Sequence, residues 1–420
     1  MSMDMDQSIT LIFAGSFNMN GVDISTSDAS KWLQRKSKTH ASAYDSDLVI
    51  ISLQECPSAQ SIEHNTSVLD NHNAPIIQVM TSPSCRRDDD QVQMTIQTAL
   101  SSQHILLADI AMGENVSPSD SDAAKPKWYG FIRLLVYAKQ QGSERYTNLI
   151  PILAPAGRKA DGIDEYNYIP HRSPDKGAVC LYISSLKLLI CSVHLCGTNA
   201  YEIPEADFDA IRINELNVIA EECQKHIGDV EYHPIICGDL NFRIEIHSNP
   251  KEKTKGGNDF QAVHAEINKE NPIALQNLFR QRDRLFRLLQ YLDGNCNIES
   301  VDESTFCRLG EEARTLMEVR DTIELHIDSN GVDGDALFNP TFTFEGKVVI
   351  DPPKGSLPLT CASKVSRFYS KKRTPSWTDR ILVSKMLLQK GWSLDVCGAD
   401  YTVVSSDHIP VFAVFSFQAV

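Results

Sequence analysis

The strongest constraint on this chain is a series of short apolar runs that each meet polar residues at one end. They read TLIFAGSF, DLVIISL, HILLADIAM, GFIRLLVYA, GAVCLYIS, KLLICSVHL, HPIICGDL, DRILVS and IPVFAVFSF. Their length and their Val/Ile/Leu/Phe content predict strands buried on at least one face. The first begins near residue 9, the last ends near residue 417, and no Pro/Gly/Ser linker separates two compositions. A single α/β domain spanning residues 1–420 is therefore expected. Between the runs lie helical patterns. From Pro204, Phe208, Ile211, Ile219, Cys223 and Ile227 recur at helical spacing. A second pattern brings together Leu278, Leu285, Leu288, Leu289 and Leu292, with Arg280, Arg282, Arg284 and Arg287 expected on its solvated face. A third covers CRLGEEARTLMEVRDTIELH. The polar stretches Ser58–Asn73, Asp88–Gln103, Glu114–Lys127 and Ser248–Gly257 read as surface loops, and there is no internal repeat.

Charge and cysteine usage narrow the function. The formal net charge is −15, so the chain has no global field to attract nucleic acid, and no nucleic-acid partner is expected. A polyanionic substrate would have to be drawn by a local basic cluster or a metal ion. No apolar run reaches the roughly 18 residues of a membrane span. The opening MSMDMDQSIT lacks the basic-then-apolar plan of a signal peptide. A cytoplasmic protein is expected. The 11 cysteines are odd in number and scattered, with no CxxC pair, which predicts reduced thiols with neither a disulfide framework nor a zinc site. Cys180, Cys191 and Cys237 sit inside apolar runs, where cysteine packs as a small hydrophobe.

The polar ends of the runs share a chemistry. IFAGSFNMN ends at Asn18 and Asn20, LVIISLQE at Gln54 and Glu55, LLICSVHL near His194, PIICGDLN at Asp239 and Asn241, and YTVVSSDH at Asp407 and His408. Asp379 and Arg380 precede the run of SWTDRILVS. If the strands form a packed pair of sheets, these ends gather two histidines, several carboxylates and three asparagines into one cleft. Asp239 and Asn241, two apart in an extended chain, face the same side while Leu240 faces the core. Glu55 is a hard oxygen ligand and Asn20 a neutral one, a set that suits Mg²⁺ completed by water and phosphate. His194 and His408 could donate to phosphoryl oxygens if nearby carboxylates keep them protonated. Taken singly, an Asp-His or Gln-Glu pair is a solvated turn. The joint occurrence of all the pieces is what points to a site.

GDLNFRI and TPSWTDRIL resemble the two signature motifs of the inositol polyphosphate 5-phosphatases, within the deoxyribonuclease I-like endonucleases, exonucleases and phosphatases. SFNMNG, LQE, DKGAV, SVHL and SDHIPVFAVF follow in the order of that family, so that the resemblance runs from about Ile12 to Phe415. It implies a four-layer α/β sandwich of two mostly antiparallel sheets flanked by helices. It also implies Mg²⁺-dependent removal of a 5-phosphate from phosphoinositide lipids or soluble inositol polyphosphates. By position, Glu55, Asn20 and Asp407 match the metal ligands, and Asp239 the group that orients or deprotonates the attacking water. Asn241 and Asn18 match residues that hold phosphate or nucleophile. His194 and His408 match the phosphate-binding histidines, with Asp379 paired to His408 and Arg380 in support. Lys371 and Arg373 in SKKRTP, and Lys176 in DKGAV, match substrate contacts.

Three positions depart from that pattern. A Tyr-Lys pair that holds a ring 4-phosphate in the family is Phe342-Thr343 here, the Asn before the KG of DKGAV is Asp175, and SVHL is followed by Cys196-Gly197-Thr198. A strict requirement for the 4-phosphate is therefore not expected. Trp128-Tyr129 and Leu357-Pro358-Leu359 are apolar segments that would serve a peripheral membrane contact. Two alternatives stand beside the phosphatase: a nuclease on the same scaffold, and a catalytically silent phosphoinositide-binding protein.

Overall fold

A computed structural model describes residues 11–34, 42–56, 76–80, 91–100, 102–113, 131–158, 172–197, 208–244, 263, 265–267, 272–295, 303–330, 337–344, 369–370 and 374–417. Thirteen strands are present among them: β1 (Leu11–Asn18), β2 (Leu48–Cys56), β3 (Ile76–Met80), β4 (His104–Gly113), β5 (Phe131–Lys139), β6 (Leu149–Arg158), β7 (Arg172–Ile183), β8 (Leu188–His194), β9 (His233–Asp239), β10 (Val319–Asp321), β11 (Asp379–Ser384), β12 (Trp392–Ala399) and β13 (Val411–Phe417). They form a seven-stranded sheet ordered β12-β13-β1-β2-β5-β4-β3 and a six-stranded sheet ordered β10-β11-β9-β8-β7-β6.

Each sheet is antiparallel but for one pair: β1 runs parallel to β2, and β8 parallel to β9. Alternating residues divide the apolar content among three layers of core. Ile12, Ile50 and Leu134 of the first sheet meet Val179, Ile190 and Ile235 of the second between the sheets. Phe13, Val49 and Ile51 face outward under helices α1 (Thr26–Leu33) and α2 (Gln91–Ala99), against Trp32 and Ile96. Leu189, Val193 and Ile236 face outward from the second sheet against Ile213, Leu216 and Ile219 of helix α3 (Phe208–Ile227). Helix, sheet, sheet and helix thus form the four-layer sandwich expected from the sequence. No helix among the described residues is long and apolar enough to cross a membrane.

Several sequence expectations are corrected. The third helical pattern splits into a helix at Glu311–Leu316, strand β10 and a helix at Thr322–Asn330, because Val319–Asp321 pairs with β11. The second pattern breaks at Asp283, which caps the helix Arg284–Leu292 by accepting from the Phe286 amide at 2.9 Å. Arg284 is not solvated: it is buried, donating to Asp209 at 2.7 Å beside Arg212, which holds the other oxygen of that carboxylate at 2.8 Å. Ile211 lies at the edge of the buried face of α3, whose buried positions are Ile213, Leu216, Ile219, Cys223 and Ile227.

Candidate active site

The two parallel pairs place the site. In the first sheet Asn18 of β1 lies in register with Gln54 of β2. In the second, His194 of β8 is in register with Asp239 of β9, and Asp239 with Asp379 of β11. β1 packs over β9 and β2 over β8. The carboxyl ends of both parallel pairs therefore meet at one rim, the usual place for a ligand in sheets of this kind. Beneath the rim a buried polar bridge ties the sheets together. The Ser52 and Ser192 hydroxyls are 2.7 Å apart, Ser52 also reaches the Cys237 carbonyl at 3.0 Å, and Gln54 donates to Ser52 at 2.6 Å.

Backbone irregularities aim the side chains. Register between β2 and β5 shifts between Leu53 and Cys56, and Glu55 there takes φ 46°. Such a bulge re-aims a side chain from a sheet face to its edge. Asn20 and Asn241 also have left-handed φ, at 51° and 56°. Residues other than glycine adopt that region rarely, and here it concentrates at the site. At Gly238 any Cβ would lie 1.9 Å from the Val193 carbonyl oxygen, so the sequence needs glycine where β9 runs beside Val193 of β8.

Asp239 is the hub. Its Oδ1 accepts from the Asn241 amide at 3.0 Å and its Oδ2 from Asn18 Nδ2 at 3.0 Å. Oδ2 also lies 3.7 Å from His194 Nε2 and 3.8 Å from His408 Nε2. Burial pushes this carboxyl up, but the charges of His408, Arg243 and Lys176 around it outweigh burial and hold the pKa at about 2. The Asn241 amide group is itself fixed, donating to the Leu195 carbonyl at 2.9 Å and accepting from Arg243 at 2.6 Å.

The two histidines differ. His408 Nδ1 contacts the Asp379 oxygens at 3.0 and 3.2 Å, and Asp379 also accepts from Thr341 at 2.8 Å and Thr378 at 3.1 Å. Burial opposes a charge on His408, but Asp379, Asp239 and Asp407 overcome it and raise the ring to about 9. His194 is the opposite case: burial, and then the ammonium of Lys176, hold its pKa well below the ordinary value. Its Nε2 accepts from Lys176 Nζ at 2.6 Å. The condition under which both rings would donate to phosphoryl oxygens, protonation favoured by nearby carboxylates, is met at His408 and opposed at His194 by burial and by Lys176.

Glu55 is partly exposed, with Oε1 3.5 Å from Asn18 Nδ2 and 3.8 Å from His194 Nε2. Asn20 is tied to the same corner: its amide donates to Asn18 Oδ1 at 3.0 Å, and the next amide, of Gly21, to the Glu55 carbonyl at 2.8 Å. Asp407 accepts from Thr343 at 3.3 Å. Glu55 thus offers loosely held carboxylate oxygen beside an amide, which fits a hard divalent cation. Asp239, Asp379 and His408 also place ligating atoms within 4.8 Å of one another. Asp379 Oδ2 already accepts from Thr341, Thr378 and His408, which leaves Glu55 the less occupied carboxylate of the rim.

Arg380 is buried between Asp283 and Asp321, donating to both, and lies outside the cluster of facing side chains. Lys371 and Arg373 lie outside the described residues. Two supports were given no role from the sequence. The Arg243 guanidinium stacks 4.3 Å over the Phe342 ring, and that ring lies 4.4 Å from the His408 ring. Ser406 donates to the Asn18 carbonyl at 2.7 Å and accepts from the His408 amide at 3.1 Å, pinning the last motif to the first. Arg243, two residues after Asn241 on the same face, was the available signal; the serine and the aromatic carried none.

No protein-family model matches the sequence, and no curated protein does. Solved structures share its fold. The inositol polyphosphate 5-phosphatase domain of Spsynaptojanin, in complex with inositol (1,4)-bisphosphate and a calcium ion, aligns with a TM-score of 0.51 at 16% identity over 97% of this chain and 84% of that one. A ferrous nitric oxide complex of Cimex nitrophorin aligns at 0.45 and 11% identity over 98% and 99%. The AP endonuclease LMAP from Leishmania major aligns at 0.40 and 10% over 99% and 91%. At 16% identity the likeness to the first of these is one of fold alone, a four-layer α/β sandwich.

Proposed function

We propose that this chain, acting as one catalytic domain, is a divalent-metal-dependent phosphomonoesterase that removes a 5-phosphate from inositol phosphates, free or in lipid headgroups. The observation that carries this reading is the meeting of Glu55, Asn18, His194, Asp239 and His408, from five separate segments, on a single rim. The motif order and the calcium-bound, inositol-bisphosphate-bound phosphatase domain of similar fold support the substrate class.

Phosphoryl transfer asks a protein mainly for positioning and charge neutralisation. Glu55 and Asn20, with Asp407 next to His408 in the last motif, would hold Mg²⁺, which when bound would acidify water and neutralise phosphoryl oxygen. Asp239, at about 2, is too weak a base to lead by proton abstraction. Its part is to accept a hydrogen bond from the attacking water and fix its line of approach. Asn18, donating to the same carboxylate, sets the rotamer. His408 presents Nε2–H to a phosphoryl oxygen, and Asp379 keeps the ring charged and oriented. Lys176 supplies the second positive charge, with neutral His194 as its acceptor. Donors placed in advance of charge development are worth about 3–4 kcal/mol each. Phe342 and Thr343 offer neither phenol nor ammonium, so that a 4-phosphate is not required.

The test is a phosphate-release panel with Mg²⁺: soluble inositol phosphates, phosphoinositide vesicles and plasmid DNA. Phosphate release from 5-phosphorylated substrates without DNA nicking supports the reading. Nicking without phosphate release would replace it with a nuclease, and binding without turnover by a silent binding protein.

A further inference from the structure

Three cysteines from three elements meet in the layer between α3 and the second sheet. Cys180 of β7 and Cys191 of β8 are direct register partners, so their side chains share the outward face. Cys223 of α3 lies over them, its Sγ 3.9 Å from Cys180 Sγ. All three sulfurs lie within 4.8 Å of one another and all three residues are buried. Their neighbours are apolar: Leu189, Ile219, Ala220 and Ile236 belong to the same packed cluster. The site is separate from the rim, because Cys191 faces away from the side of β8 that carries Ser192 and His194.

We propose that Cys180, Cys191 and Cys223 form a binding site for a soft, thiophilic metal ion of the cuprous class. Metal–thiolate bonds of about 2.3 Å at tetrahedral to trigonal angles separate the sulfurs by about 3.8–4.0 Å. The Cys180–Cys223 spacing already has that value. Sulfur ligands select soft ions such as Cu(I) over the hard cations suited to Glu55 and Asn20. The apolar surroundings favour a centre of low charge. A monovalent ion needs the loss of one thiol proton to solvent for the centre to be uncharged, and a divalent ion the loss of two. The scattered cysteine spacing, read as excluding a zinc site, hides this arrangement because it depends on strand register and helix packing.

The experiment is anaerobic titration of the reduced chain with cuprous ion in the presence of a competing chelator. A Cys307→Ser background removes the thiol that is exposed among the described residues. Retention of one ion that is lost in Cys223→Ser and in Cys180→Ala/Cys191→Ala is the expected result, with a higher Tm on loading only where the triad is intact. Equal retention with and without the triad would overturn the proposal and leave the cysteines as packing residues. Should the variants fail to fold, copper X-ray absorption on the loaded parent chain decides. A shell of three sulfurs supports the site, and two sulfurs or a shell of nitrogen and oxygen contradicts it.

Discussion

Asp379 accepts from Nδ1 of His408 at 3.0 Å, and this contact turns Nε2 of the ring toward Asp239, 3.8 Å away. One carboxylate therefore sets both the charge and the aim of the group proposed to meet the phosphate. Asp379→Asn keeps the size but removes the charge. The variant is expected to lower kcat by about 10²–10⁴-fold. His408, titrated by NMR, should fall from about 9 toward its ordinary range. An unchanged ring pKa would remove Asp379 from this role.

Glu55 is the carboxylate with the most freedom to hold a cation. Glu55→Gln is expected to raise the Mg²⁺ concentration needed for half-maximal activity by at least about 10²-fold, since even indirect supports of a metal commonly cost 10–100-fold. Activity should recover in part at high Mg²⁺. A metal dependence identical to that of the parent would place the ion elsewhere.

Gly238 separates packing from chemistry. Because an added Cβ would lie 1.9 Å from backbone at Val193, Gly238→Ala must push β9 from β8. A loss of about 3 kcal/mol or more is expected, measured from the denaturant midpoint. Full stability would mean that the two strands yield more readily than their close approach indicates.

Asp209 gives the acid dependence of stability. Burial raises its carboxyl, but Arg284 and Arg212 outweigh burial and hold it below the ordinary value. Unfolding therefore takes up a proton at low pH. The stabilisation is complete above the unfolded pKa of about 3.9 and is lost as pH falls through the lower folded value. Asp209→Asn should flatten this part of the stability profile. At neutral pH it should cost about 3–5 kcal/mol, because two buried guanidinium groups lose their counter-charge. A parallel acid profile in both proteins would show that other carboxylates govern it.

What the sequence made legible was local. Buried strands write themselves as apolar runs, and their polar ends stand out, so that Asn18, Glu55, His194, Asp239 and His408 could be named in advance. Which ends meet depends on pairing between distant segments: the parallel register of β8 with β9 and the antiparallel register of β9 with β11. The same non-local pairing turned Val319–Asp321 into a strand inside a helical pattern and buried Arg284 on a face that looked solvated. The lowered pKa of His194 was hidden too, since it follows from burial and from Lys176, which arrives from the neighbouring strand. Cys180, Cys191 and Cys223 show the same limit.

The most direct test of the account is single-turnover phosphate release from a soluble 5-phosphorylated inositol phosphate with Mg²⁺, comparing the parent chain with Asp239→Asn. The account predicts rapid release by the parent and a fall of about 10³-fold or more in the variant, with circular dichroism unchanged. Equal rates in the two proteins would contradict it.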